Sequence, residues 1–177
     1  KMFDLQLAEE AVNAGAELWT GARALECIND DIKVAVRGET KEIQCRCIIG
    51  ADGPRSTVGA WMNSRNEYFM PAVQWTLPLT KDKSDTEIYF SPEYIGGYAW
   101  MFPKGKFANV GVGVSMEAGD RLTELHSRFV SKMIAEGVVK NEKPIFKTGG
   151  IAPVGGPLPK LVHENILLAG DAAGQKH

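Results

Sequence analysis

The 177-residue sequence is short of several things, and each shortage excludes a class of protein. Three cysteines are an odd number and too few for a disulfide framework, so a reducing compartment, the cytoplasm, is expected. Basic charge is not in excess: 20 Lys and Arg stand against 22 Asp and Glu, for a formal net charge of −2. No cationic field therefore marks a nucleic-acid partner. No apolar run approaches the ~18 residues that a membrane span needs. The opening Lys1-Met2-Phe3-Asp4 has the form of neither a signal nor a transit peptide. Cys45-Arg46-Cys47 is followed by no second Cys or His pair at zinc spacing, so no metal site is expected. What remains is ordinary globular composition, 44% hydrophobic and 24% charged, which rules out a disordered tail or a fibre.

The periodicities divide the chain into recognisable pieces. Phe3, Leu7, Ala8, Ala11 and Val12 recur at helical spacing and predict a helix over 3–14, stopped by Gly15. Strands are predicted at 17–27, 31–37 and 41–49, joined by short connections as an antiparallel meander, with a turn at Arg37-Gly38-Glu39-Thr40. In the third strand, period two places Ile43, Cys45, Cys47 and Ile49 on one apolar face, which predicts buried free thiols, as does the setting of Cys27. A short helix is expected over 55–62, then strands at 67–79, 86–90, 97–102 and 107–115. Residues 118–136 carry Leu122, Leu125, Phe129, Met133 and Ile134 on one helical stripe, with His126 expected on the surface. A strand over 144–152, an extended Pro/Gly connector and a buried strand at 165–169 complete the reading.

Three motifs could carry chemistry. In the first, an apolar strand runs into Gly50-Ala51-Asp52-Gly53 and a helix start. Such a turn favours an anion and lets a ligand approach bare backbone; equally, Asp52 and Ser56 could simply cap the helix. The second repeats the form: Ile166–Ala169 ends in Gly170-Asp171-Ala172-Ala173-Gly174. A carboxylate there is placed for a ribose hydroxyl, beside residues small enough for a cofactor to lie on backbone. The third is Tyr98-x-Trp100-x-Phe102-Pro103, then seven residues, then Gly111-x-Gly113. A four-residue hairpin loop, 103–106, pairs Phe102 with Phe107 and sets the three rings beside glycine backbone. That makes either an apolar trough or a surface where the rings fold over the glycines themselves.

Together the three motifs resemble flavoproteins. Gly50–Gly53 and Gly170–Gly174 look like the "DG" and "GD" motifs of the p-hydroxybenzoate hydroxylase fold, and the aromatic motif resembles the substrate-side signature of the geranylgeranyl reductase family. The family's G-x-G-x-x-G fingerprint is absent, and the chain starts inside a helix pattern and stops just after a glycine turn. The resemblance therefore implies an incomplete α+β chain: an α/β FAD-domain remnant with an antiparallel-sheet substrate domain. Residues 1–66 are expected to be part of the FAD-binding domain, 67–152 the substrate domain, and 153–177 a return to the FAD-binding domain.

The resemblance also implies a function for the parent protein. Reduced flavin would deliver hydride to C=C bonds of an isoprenoid chain, with a proton added at the other carbon. FAD would be bound by Asp52, Gly53, Gly170, Asp171, Ala173 and Gly174. Tyr98, Trp100, Phe102, Gly111 and Gly113 would line the slot for a prenylated lipid, quinone or pigment precursor. No catalytic proton donor and no electron donor is identified. The same fold serves flavoprotein monooxygenases and quinone-linked dehydrogenases, and a lipid-binding module without catalysis is the reading from another class. A prenyl substrate implies peripheral membrane contact, although no basic amphipathic helix supports it. Without the fingerprint, the chain alone is expected to hold little FAD and to self-associate through uncovered faces.

Overall fold

The computed structural model describes residues 2–28 and 31–175. The first helix, α1 (Met2–Asn13), ends where Gly15 turns left-handed at φ 99° and Ala16 N–H closes on the Ala11 carbonyl. A meander follows, β1 (Ala22–Ile28), β2 (Asp31–Val36) and β3 (Glu39–Gln44), paired in that order. The predicted strand over 17–27 is thus shorter at its start. Gly21 (φ 69°) precedes β1, and Trp19 lies outside the ladder with its indole N–H on Glu17 and Lys41 over its ring. The β2–β3 turn is Arg37-Gly38, both left-handed, the conformation a two-residue hairpin requires.

The predicted strand over 41–49 does not exist as one element. β3 stops at Gln44, and β4 (Ile48–Gly50) belongs to a different sheet. Alternation cannot be carried across the break, so the phase slips: Ile48 is buried and Ile49 is 66% exposed. The expectation of buried thiols fails with it. Cys47 is exposed, while Cys27 and Cys45 are half-buried against the core that joins Ile48, Val58 and Met62.

After α2 (Thr57–Trp61) the chain builds a five-stranded sheet in the order β6-β7-β8-β5-β9, from β5 (Phe69–Pro78), β6 (Glu87–Tyr89), β7 (Tyr98–Lys104), β8 (Phe107–Gly113) and β9 (Phe146–Pro153). The helix α3 (Leu122–Ala135), entered through a turn of 3₁₀ helix, covers one face. Leu77, Ala99, Met101, Val110 and Val112 of the sheet and Leu125, Phe129 and Met133 of α3 form its core. Burying apolar side chains of this size contributes about 1.5–3 kcal/mol each. Last come β10 (Val162–His163) and β11 (Ile166–Leu168), which form a small sheet with β4. Among the described residues no helix is long and apolar enough to cross a membrane.

His126 is the clearest departure on α3. It is not on the surface but 2% exposed, its Nε2–H donating to the Val110 carbonyl at 3.1 Å and its ring set edge-on to Trp75 at 4.8 Å. Burial holds its pKa below the ordinary 6.5; the Val110 hydrogen bond opposes this and the Lys147 charge adds to it. The unfolded imidazole takes a proton near 6.5 and the folded one only at lower pH. Its contribution to stability is therefore complete above that ordinary value and is lost as pH falls from there through the folded value. Urea unfolding at about pH 7.5 and about pH 5.5, on either side of the ordinary imidazole pKa, is expected to show a larger loss in the unsubstituted chain than in His126→Phe. A second expectation concerns the thiols: burial and Asp31 push the Cys45 pKa up, so maleimide near neutral pH should label Cys47 first, and Cys47→Ser should remove that fast phase.

Candidate functional site

β4 and β11 are parallel neighbours, with Ile48 opposite Ile166 and Gly50 opposite Leu168. Parallel strands end at the same edge, so the turns that follow them emerge side by side, where ligands bind in open parallel sheets. The Ala169 N–H extends the pairing by donating to the Gly50 carbonyl at 2.9 Å. Only glycine fits at position 50, because a Cβ there would lie 2.7 Å from Val58 Cβ and 2.8 Å from Leu168 Cδ2. Beyond this point both turns expose bare backbone. Gly53 (φ 85°) and Gly170 (φ 62°) have nothing within 4 Å of where a side chain would begin. The structure thus brings Asp52 and Asp171 to one edge of one sheet.

The two carboxylates are used differently. Asp52 is occupied: Oδ1 accepts from Ser56 Oγ at 2.5 Å, and Oδ2 accepts from the N–H groups of Thr57 at 2.6 Å and Val58 at 3.2 Å. Ser56 in turn accepts from the Gly59 N–H at 2.7 Å as the N-cap of α2. Asp171, half-buried, has no side-chain hydrogen bond or ion pair among the described residues. Its main-chain oxygen is held by the Gly174 N–H at 3.2 Å and Asn66 Nδ2 at 2.8 Å. Ala173 is fully buried, and Gly174 turns left-handed at φ 70°. Two clefts share the Arg65-Asn66 segment between α2 and β5. One of about 650 Å³ lies between residues 63–68 and 155–160, and one of about 440 Å³ lies beside the start of α2 with Arg55 and Arg65 on its wall.

The five-stranded sheet presents its second face, opposite α3, with the aromatic motif upon it. The register differs from expectation. The hairpin turn is two residues, Gly105 (φ 61°) and Lys106, so Lys104 rather than Phe102 pairs with Phe107. Pro103 does not end the strand because β6 no longer flanks β7 there, so the missing N–H falls on an open edge. Trp100 consequently faces Gly111 and Tyr98 faces Gly113.

Gly111 is covered, not open. Its missing Cβ would fall 2.2 Å from Trp100 Cζ2, so the indole lies across β8 and its Nε1–H reaches Gln74 Oε1 on β5 at 2.9 Å. Gly113 is approached by Met70. The rings form a continuous row: Phe90 to Tyr98 at 6.0 Å, Tyr98 to Trp100 at 5.9 Å, and Trp100 stacked on Phe102 at 5.9 Å. Phe90 is 80% exposed and Trp100 only 9%. The face is a ring-covered floor, of the two readings the one in which aromatics fold over glycine. Sequence reasoning missed Gln74 and Asn66. Gln74 carried one signal, a polar residue in alternation with Val73, Trp75 and Leu77; Asn66, in the polar run Arg65-Asn66-Glu67, carried none.

Comparison with known proteins gives this geometry a context. Residues 68–151, which hold the whole aromatic motif, match the model of the geranylgeranyl reductase catalytic domain. The chain is 35% identical to the digeranylgeranylglycerophospholipid reductase of Methanocaldococcus jannaschii over 192 residues, covering 99% of this chain and 47% of that protein. The crystal structure of a geranylgeranyl bacteriochlorophyll reductase-like protein from Thermoplasma acidophilum superposes with a TM-score of 0.88 at 27% identity, over 98% of this chain and 47% of that one. A flavin-dependent halogenase shares the fold at a TM-score of 0.75 and 20% identity, over 97% of this chain and 34% of that one. The chain spans about half the length of the curated relatives it matches. With its α+β architecture, its paired turns and its aromatic signature in order, the chain is similar over nearly its whole length to part of the geranylgeranyl reductases.

Proposed function

We propose that the protein containing this chain is an FAD-dependent reductase that saturates C=C bonds in the isoprenoid chain of a prenylated lipid. The carrying observation is that Asp52 and Asp171 follow adjacent parallel strands and so stand at one edge, in a chain whose residues 68–151 match a prenyl reductase catalytic domain. Residues 1–66 and 153–177 then contribute to the cofactor portion, and 67–152 to the substrate portion.

The residues fit the nucleotide. Gly53 and Gly170 offer backbone with open space above it, and Ala173 and Gly174 keep the next turn small. Asp171, whose carboxylate has no partner among the described residues, accepts a ribose or ribityl hydroxyl. Asp52 contributes by holding the first turn and α2 in shape, since both its oxygens are already engaged. Bound FAD would supply the two electrons of the reduction.

On the sheet, Tyr98, Trp100 and Phe102 give an apolar floor on which a prenyl chain gains about 0.8 kcal/mol per buried CH₂. Gly111 and Gly113 contribute by letting Trp100 and Met70 lie low over the backbone. His126 takes no part as proton donor, being sealed on the α3 side of the sheet. The digeranylgeranylglycerophospholipid reductases point to a glycerophospholipid bearing geranylgeranyl chains as substrate, reached from a membrane surface.

Product analysis tests the reaction: a mass gain of two hydrogens per bond is expected, and incorporated oxygen would instead indicate a hydroxylase. In the full-length protein, Trp100→Ala is expected to lower prenyl reduction at least tenfold with flavin absorbance retained, and unchanged activity would remove the floor from the substrate path. Asp171→Ala is expected to weaken FAD binding by roughly ten- to a hundredfold, the effect of losing one charge-assisted hydrogen bond, as read by flavin fluorescence titration.

A further inference from the structure

Asn66 lies on the crossover between α2 and β5, where the chain leaves the small parallel sheet for the five-stranded one. Its side-chain amide donates twice, to the Pro54 carbonyl at 3.0 Å and to the Asp171 carbonyl at 2.8 Å. These acceptors belong to the two turns, 12 and 105 positions away in the chain. Both amide hydrogens are engaged. The strand pairing that brings the turns together ends at the Ala169–Gly50 hydrogen bond. Past it, among the described residues, Asn66 carries the only hydrogen bonds that reach both turns.

The other side of the amide is equally confined. A Cβ at Gly174 would come within 2.9 Å of Asn66 Oδ1 and 2.4 Å of the Gly156 carbonyl. Glycine at 174 therefore lets the second turn, the return connector and Asn66 close on one point. The connector is tied to the same point by the Leu158 N–H on the Ala173 carbonyl at 2.9 Å, and to the outgoing crossover by the Val154 N–H on the Tyr68 carbonyl at 3.0 Å.

We infer that Asn66 is a positioning residue for the nucleotide: its amide sets the spacing of the two turns and the orientation of the Asp171 backbone, and thereby where the Asp171 carboxylate stands. The inference rests on the reading that these turns hold FAD. A clamp of this kind acts through backbone rather than by touching the ligand. Losing it takes the donor from the Pro54 carbonyl and leaves the Asp171 carbonyl only the longer Gly174 N–H bond, which lets the turns part, so Asp171 and the bare backbone at Gly53 no longer meet the cofactor at one distance.

The test uses the full-length protein containing this chain, with FAD titrated by quenching of its fluorescence, and with urea unfolding to fix the folded fraction. Asn66→Asp keeps the shape but turns a carboxylate oxygen toward the two carbonyls, and Asn66→Ala removes the group. Both are expected to bind FAD at least tenfold more weakly while remaining folded at the assay temperature. Asn66→Ser, shorter and with one donor, should fall between them and the unsubstituted protein, and it supplies the measurement if either of the others fails to fold. A pH series adds a readout that packing alone would not move. A carboxyl group introduced at this position, facing carbonyls, takes up a proton readily and regains one donor. The Asn66→Asp deficit should therefore shrink as pH is lowered from about 8 to about 6, toward a carboxyl pKa raised by its surroundings, while that of Asn66→Ala stays constant. Unsubstituted protein that binds no FAD would overturn the cofactor reading itself. Unsubstituted protein that binds FAD, with folded variants that bind it equally well, would overturn the role of Asn66 alone.

Discussion

The parallel pairing of β4 with β11 is the contact on which the rest of the arrangement depends. Each strand is three residues long, and the pair is brought together from distant parts of the chain around an inserted five-stranded sheet. Parallel strands cannot be joined by a tight turn, so their pairing is always supplied by tertiary structure. Here Val58 and Met62 of the α2 region, with Ile48, Ile166, Leu168 and Ala173, make the small core that holds the pair. Once they pair, two turns far apart in sequence must leave the sheet at one edge.

Two turns of similar composition then acquire different duties through their surroundings. The first opens directly into α2, whose unpaired N–H groups at Thr57 and Val58 need acceptors, and Asp52 supplies them. The second opens into a short 3₁₀ turn closed by Gly174, with Asn66 and Gly174 satisfying its main chain. Among the described residues nothing engages the Asp171 carboxylate. A free acceptor beside bare backbone is what a polyol-bearing ligand requires; a saturated one is what a stable turn requires.

The large sheet divides its two faces in the same way. Alternation in β7 sends Ala99 and Met101 to α3 and Tyr98, Trp100 and Phe102 to the other side. The absence of a side chain at Gly111 lets the indole lie flat, and Gln74 holds its N–H. The floor is therefore smooth because of one glycine and anchored because of one amide, while the rings at its margins remain partly exposed.

How much of this was legible follows from what each signal depends on. Local patterns carried through where one element stayed in one sheet: α1, the β2–β3 turn at Arg37-Gly38, the α3 stripe and the aromatic alternation of β7 all follow from side-chain periodicity and glycine conformation. Periodicity failed where the chain changed partners. Cys47 is exposed because β3 ends and a new sheet begins. The β7–β8 register moved by two because Pro103 is tolerated on an edge that only the sheet order creates. His126 lies on the α3 stripe itself, four residues after Leu122 and three before Phe129, and is buried over Val110 and Trp75; its polarity, not its place in the helical repeat, suggested the surface. By itself the sequence determined most of the elements, the two glycine-carboxylate turns and the family they resemble, since those rest on residues near one another in the chain. Only the tertiary structure decided that the turns share an edge, that the Asp52 carboxylate is engaged while that of Asp171 has no partner among the described residues, and that Trp100 covers Gly111, because each depends on hydrogen bonds and contacts set by how the elements pack.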